Sequence, residues 1–250
     1  MTSSDRTRST ALVTGASRGF GRAIASALHA AGANVVAVAR NAELLASLRD
    51  ELGDRLATDR ADVADPVVAG TLIQQHRPET LVLNAGAAPS YHPLHQHTWE
   101  TFSRNWEVDV RHAFHWIREA LLLPLAPGST VVTLSSGAAM AGSPLSGGYA
   151  GAKATIRFIT SYAEDESERA GLGIRFISLL PRLTPATELG SEAVEAYARR
   201  DGLDGGDFRA RLGPGITPDE VGKATVDLVT AAEYAPGAYL LTPDGLSPAG

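Results

Sequence analysis

Ala11-Leu12-Val13-Thr14-Gly15-Ala16-Ser17-Arg18-Gly19-Phe20-Gly21, followed by a helical pattern over 22–31, reads as strand, glycine-rich turn and helix. A turn of this kind lets backbone amides approach a pyrophosphate, and the helix N-terminus behind it adds partial positive charge. Gly15, Gly19 and Gly21 are the expected contact points, with Ser17, Arg18 and Phe20 set between them. The spacing is G-x-x-x-G-x-G and not the commoner G-x-G-x-x-G, so taken alone it also suits a plain tight turn.

Working outward, short apolar runs at 11–13, 34–39, 80–83, 130–134, 174–180 and 238–241 alternate with longer helical stretches. That rhythm predicts a parallel sheet, and the continuous apolarity predicts strands covered on both faces. A weaker run at 56–61 makes a seventh strand. The expected architecture is α/β, a doubly wound parallel seven-stranded sheet with helices on both sides. At 250 residues and 44% hydrophobic content the chain buries one sizeable core, so one domain over 1–250 is expected. The least regular stretch, 181–215, is charged and glycine-containing, with a helical piece near 191–200. Such insertions are often lids, and the substrate-covering segment is expected at about 182–215.

Composition narrows the partners. A net charge of −6 offers no basic stripe for nucleic acid or anionic lipid. Zero cysteines exclude disulfides, thiolate nucleophiles and Cys-ligated zinc, and fit a reducing compartment. Residues 1–10 are polar without an apolar leader core, and no run approaches the roughly 18 apolar residues of a membrane span, so the cytoplasm is expected. His92, His95 and His97 crowd one loop, but no acidic or thiolate ligand accompanies them and proline interrupts them. They read as loop histidines, with no metal expected.

In Tyr149-Ala150-Gly151-Ala152-Lys153 the phenol and the amine are four residues apart, which puts them on one face of a helix. A free tyrosine ionises near pH ~10, and an ammonium beside it favours the phenolate, bringing proton exchange toward neutrality. Ser136, thirteen residues earlier, ends the fifth apolar run, and strand C-termini of open α/β sheets face the ligand crevice. Together with the glycine turn and Asn84-Ala85-Gly86, these residues resemble the short-chain dehydrogenase/reductase family over nearly the whole chain. The resemblance implies a single Rossmann-type domain, a nicotinamide cofactor, and hydride transfer to or from a carbonyl or alcohol. In the reduction direction it implies that Tyr149 protonates the developing alkoxide and Ser136 donates a hydrogen bond. Lys153 favours the phenolate and binds the nicotinamide ribose. Ser135 competes with Ser136 but lacks the family spacing, and on a regular strand it points away. Asp62-Val63 resembles the family's adenine-contacting pair, although Asp62 also suits a cap for the helix starting near Asp65. Asn84, Ala85 and Gly86 would pass the ribose. Dimers or tetramers are implied as well.

Charge argues for the cofactor. Rossmann folds place an acid at the end of the second strand against the ribose hydroxyls. Here the position is Ala39, followed by Arg40, and with Arg18 two guanidiniums converge on a 2′-phosphate. NADP(H) is therefore expected. Two departures from the family stand out. Asp109 replaces the usual asparagine; a carboxylate still accepts from water or Lys153, but it stabilises the ammonium and opposes the phenolate. Asn105, one turn upstream, is the alternative. Pro181-Arg182 replaces Pro-Gly, setting a long cation beside the nicotinamide, directed at solvent, a cofactor phosphate or an acidic substrate group. Pocket walls are expected at 87–92, 138–145 and 183–189, with Met140, Leu145 and Leu183 giving a mostly apolar lining. Trp99, Trp106, Phe114 and Trp116, with His112 and His115, form an aromatic helix that suits core packing or, where exposed, a homo-oligomer interface. The leading reading is an NADPH-dependent carbonyl reductase or alcohol dehydrogenase acting on a small molecule. A non-catalytic NADP(H)-binding regulator would need the turn but not the Ser/Tyr/Lys set. A dehydratase or imine reductase on the same fold stays open through Asp109 and Arg182.

Overall fold

The apolar runs pair into one sheet. Its strands are β1 (Thr10–Thr14), β2 (Asn34–Ala39), β3 (Leu56–Arg60), β4 (Thr80–Leu83), β5 (Thr130–Leu134), β6 (Arg175–Pro181), β7 (Gly237–Thr242) and β8 (Gly245–Pro248). The structure, a computed structural model, describes residues 9–249; the polar opening at 1–8 lies outside the described residues. The order is β3-β2-β1-β4-β5-β6-β7-β8, parallel from β3 to β7, with β8 antiparallel to β7. The eighth strand exceeds the seven expected. Thr242 pairs with Gly245, so a two-residue loop turns the chain back, and Gly-Leu-Ser-Pro is too short and polar to register as an apolar run. Its proline is tolerated because β8 is the sheet edge.

Ten α-helices occur among the described residues: α1 (Gly19–Ala30), α2 (Ala42–Leu52), α3 (Pro66–His76), α4 (Trp99–Asn105), α5 (Arg111–Leu122), α6 (Ala138–Ala141), α7 (Gly147–Ala170), α8 (Glu188–Asp201), α9 (Gly205–Leu212) and α10 (Pro218–Thr230). Strand alternation sorts the core into two layers. Ala11 and Val13 pack with Ile24 of α1, Leu48 of α2 and Val221 of α10; Leu12 faces the other way, toward Leu72 of α3, Trp116 of α5 and Ala163 of α7. A sheet apolar on both faces thus receives a helix layer on each. Trp116 is fully buried and donates Nε1 to the Val63 carbonyl at 3.0 Å, while Trp99, Trp106 and Phe114 are exposed. The aromatic stretch therefore splits between core and surface.

Two helices, not one, organise the 182–215 region. α8 and α9 share a small cluster of Val194, Ala198 and Phe208, and Asp204 caps α9 by accepting from Gly206 and Asp207 amides. Strands leave β1 toward β2 on one side and β4 toward β5 on the other, so the crevice of this topology opens at the C-terminal ends of β1 and β4. No helix among the described residues is long and apolar enough to cross a membrane.

Candidate active site

The turn after β1 is held in shape from both sides. Gly15 and Gly19 take positive φ, 66° and 54°. A Cβ on Gly15 would lie 2.8 Å from the Ala85 Cα, and one on Gly21 would lie 2.2 Å from the Gly15 carbonyl oxygen, so neither position admits a side chain without displacement. Asn84 Nδ2 donates to the Thr14 and Gly15 carbonyls at 3.0 and 3.3 Å. Thr14 Oγ1 accepts from the Asn84 and Ala85 amides and donates to the Val82 carbonyl. The Asn84 side chain is thus spent on the turn. α1 begins with no side-chain cap on its amides, and nothing stands within 4 Å of where a Gly19 Cβ would be. Open space in front of an uncapped helix N-terminus fits an anionic diphosphate.

Arg18 and Arg40 are exposed at this end, and Arg18 forms an ion pair with Glu188 at the start of α8. Arg60, opposite Ala39 in register, donates Nε to the Arg40 carbonyl at 3.2 Å, a neighbouring guanidinium the sequence reading missed. Asp62 accepts from the Ala64 amide at 3.1 Å and does not cap α3; Asp65 does, accepting from the Val67 amide.

At the other end β5 delivers adjacent serines. Ser135 Oγ is buried and donates to the Lys153 carbonyl at 2.8 Å, whereas Ser136 is half-buried at the crevice, its Oγ accepting from the Ala138 amide. Tyr149 and Lys153 sit in the first turns of α7, with Nζ 5.6 Å from the phenol ring centre. Nζ donates to the Leu134 carbonyl at 3.0 Å and lies 3.3 Å from Asp109 Oδ2. Asp109 belongs to a π-helical turn, Trp106–Val110, between α4 and α5. Its Oδ1 also accepts from the Ala87 amide at 2.8 Å, and Asn105 Nδ2 donates to the Ala87 carbonyl at 2.8 Å. Asn105 therefore braces the loop after β4, and Asp109 is the residue that meets the lysine. Burial works to lower the Lys153 ammonium, but Asp109 and Tyr149 beside it outweigh that and hold it above the ordinary lysine value.

One turn beyond Asp109, the buried His112 imidazole is held down to about 3, first by burial and then by the Lys153 ammonium. Below its ordinary value near 6.5 the unfolded chain binds a proton that the folded chain refuses. This group's contribution therefore falls on acidification until about pH 3. Between pH ~6 and ~5 we expect a loss of about 1 kcal/mol in urea denaturation, absent in His112→Leu. An unchanged pH slope in that variant would refute the assignment.

All residues singled out in the sequence as catalytic or cofactor-contacting line one cavity of about 720 Å³, including Pro181 and Arg182. Of the three side chains expected to make the lining mostly apolar, Leu183 lines the cavity, with Ala88, Ala138 and Leu189, and Met140 and Leu145 do not. Met140 is exposed, Leu145 is packed away, and the substrate end is lined by Tyr91, Ser143, Ser146, Glu192 and Tyr197. Tyr91 lay within a predicted wall; Glu192 and Tyr197 gave no signal, since the inward face of α8 is set by packing. His97 Nδ1 pairs with Thr101, its ring edge-on to His92, and no three His, Cys, Asp or Glu side chains assemble a metal site among the described residues.

Residues 9–198 match the family model described as short chain dehydrogenase. The chain belongs to that family. As a short-chain dehydrogenase it is an oxidoreductase that uses a nicotinamide cofactor. An uncharacterized short-chain type dehydrogenase/reductase of Sinorhizobium fredii is 30% identical over 242 residues, 94% of this chain and 43% of that longer protein, so the chain spans less than half of it. L-rhamnose 1-dehydrogenase (NAD(P)(+)) of a Sphingomonas species is 28% identical over 250 residues, 95% of each chain. The crystal structure of levodione reductase superposes with a TM-score of 0.83 at 21% identity, covering 94% of this chain and 96% of that one, a likeness of fold alone.

Proposed function

We propose that the protein is an NADP(H)-dependent reductase or dehydrogenase interconverting a ketone or aldehyde with its alcohol. One observation carries this reading: a single cavity joins the uncapped glycine turn, flanked by Arg18 and Arg40, to Ser136, Tyr149 and Lys153. The cradle amides of Gly15 to Gly21 hold the diphosphate, Asp62 and Val63 border the adenine, the 84–86 backbone passes the ribose, and Pro181 and Arg182 border the nicotinamide. When bound, the nicotinamide supplies or accepts the hydride. Ser136 orients the substrate oxygen, Tyr149 gives it a proton in reduction and takes one in oxidation, and Lys153 supports the phenolate and the ribose hydroxyls. Asp109 holds Lys153 and the loop after β4 together as a positioning residue. The 182–215 segment covers the substrate as a lid on a single domain. Exposed Trp99, Trp106 and Phe114 suit a homo-oligomeric interface, dimeric or tetrameric, and a cysteine-free acidic chain suits the cytoplasm.

The relative named for NAD(P)(+) leaves cofactor choice to the residues at the end of β2. Arg18 is held by an exposed carboxylate, an interaction worth about 0–1 kcal/mol, which a 2′-phosphate can displace. In a fluorescence titration we expect NADPH to bind at least about tenfold more tightly than NADH, and Arg40→Ala to remove most of that margin. Equal affinities for the two cofactors would refute the phosphate-reading role.

A further inference from the structure

Beside Leu183 and Leu189, the cavity lining carries a connected set of hydroxyls. Ser143 Oγ lies 2.6 Å from Ser146 Oγ and bonds the Tyr197 hydroxyl, which also accepts from the Leu145 amide at 3.4 Å. The Tyr91 hydroxyl donates to the Leu189 carbonyl at 3.2 Å, so α8 and the loop after β4 are tied across the opening. Each hydroxyl in this chain keeps acceptor capacity beyond the bond it makes. Glu192, one and a half turns before Tyr197, is an exposed carboxylate that borders the same space, and its side chain makes no ion pair or hydrogen bond among the described residues. Tyr91, Tyr149, Glu192 and Tyr197 line one cavity, and the Tyr91 phenol is pushed above its ordinary value by burial and then by the other three. Ser146, the residue before α7, and Tyr149 in its first turn line this same cavity with Ser143 and Tyr197. Donor-rich neighbours of a reacting carbinol replace the water on these hydroxyls and on the carboxylate with direct hydrogen bonds; a purely aliphatic neighbour displaces that water and returns none.

Resting on the oxidoreductase reading above, we infer that this end recognises a neutral vicinal polyol or hydroxyketone, with Glu192 and the Ser143–Tyr197 pair receiving the hydroxyl next to the reacting carbon. Arg182 also lines the cavity and is the group an anionic substrate would use.

The test compares cyclohexanol, cis-1,2-cyclohexanediol, 3-hydroxycyclohexanecarboxylate and 2-aminocyclohexanol. Calorimetry on NADP⁺-loaded Tyr149→Phe protein reads binding apart from turnover; absorbance of the nicotinamide reads oxidation by the unaltered protein. The diol is expected to bind at least about tenfold more tightly than cyclohexanol, and Glu192→Gln to remove about tenfold from the diol while leaving cyclohexanol within about twofold. Tyr197→Phe, which breaks the Ser143 contact, is expected to weaken the diol several-fold in the same sense. Equal binding of diol and cyclohexanol, or tighter binding of the carboxylate or the amine, overturns the inference. Selective diol binding without any oxidation upholds this substrate class and sinks the assigned oxidoreductase chemistry instead.

Discussion

Tyr149→Phe is expected to lower turnover of any carbonyl or alcohol substrate by about 10²- to 10⁴-fold, the usual worth of a positioned proton donor. Phe keeps the ring that stands 5.6 Å from the Lys153 ammonium and fills the same half-buried space at the start of α7. Only the hydroxyl is lost. No hydrogen bond to that hydroxyl occurs among the described residues, so its removal orphans no buried partner and stability should change by less than about 0.5 kcal/mol. The cradle lies at the other end of the cavity, so NADPH affinity should hold within about twofold. The decisive comparison is kcat beside cofactor Kd on one preparation. Unimpaired turnover would remove Tyr149 from the chemistry, and a joint loss of turnover and cofactor binding would point to a damaged fold.

Asp109→Leu is expected to destabilise the protein by about 3–5 kcal/mol, because it leaves a buried ammonium without its counter-charge. The side chains of Lys153 and Asp109 are 7% and 1% exposed, so water screens the pair little. In the intact protein the folded lysine value is raised, so its contribution to stability is fully present below the ordinary value near 10.5 and declines as pH rises through the folded value. Without Asp109 burial dominates and the sign inverts: charged Lys153 becomes a penalty at neutral pH that shrinks as the solution turns alkaline. Asp109→Asn keeps one acceptor oxygen, for either Lys153 or the Ala87 amide where the carboxylate serves both, and should cost less than the leucine variant, about 1–3 kcal/mol. Urea denaturation at neutral and alkaline pH separates the two variants. A leucine variant as stable as the parent would show that the ion pair contributes nothing net.

The strands that position the site were legible because their apolar runs are local and continuous. β2, β4 and β5 fall at the expected residues, and β1, β3, β6 and β7 within a residue or two at each end. Tyr149 and Lys153 were legible because helical spacing fixes which side chains share a face. Other features depended on distance along the chain. Arg18 looked free from its neighbours, yet its partner Glu188 is 170 residues away. Register favoured Asp109 over Asn105, one turn upstream; a π-helical turn, invisible in the pattern, carries the carboxylate that meets the lysine, while the Asn105 amide goes to the Ala87 carbonyl. The hydroxyl-lined end required α8 to be docked before anyone could know which of its residues face inward.

Thr14, Asn84 and the Gly15 carbonyl knit the phosphate turn to the β1–β4 seam through hydrogen bonds internal to the chain. A cofactor arriving there meets a surface already in its receiving shape, with no loop to order first. Its association rate is then governed by diffusive encounter and by the local field of Arg18, Arg40 and Arg60, so the on-rate should fall steadily with added salt. Under the proposed reading, slow conformational gating is expected at the opposite end, where the Tyr91–Leu189 hydrogen bond ties the loop after β4 to α8.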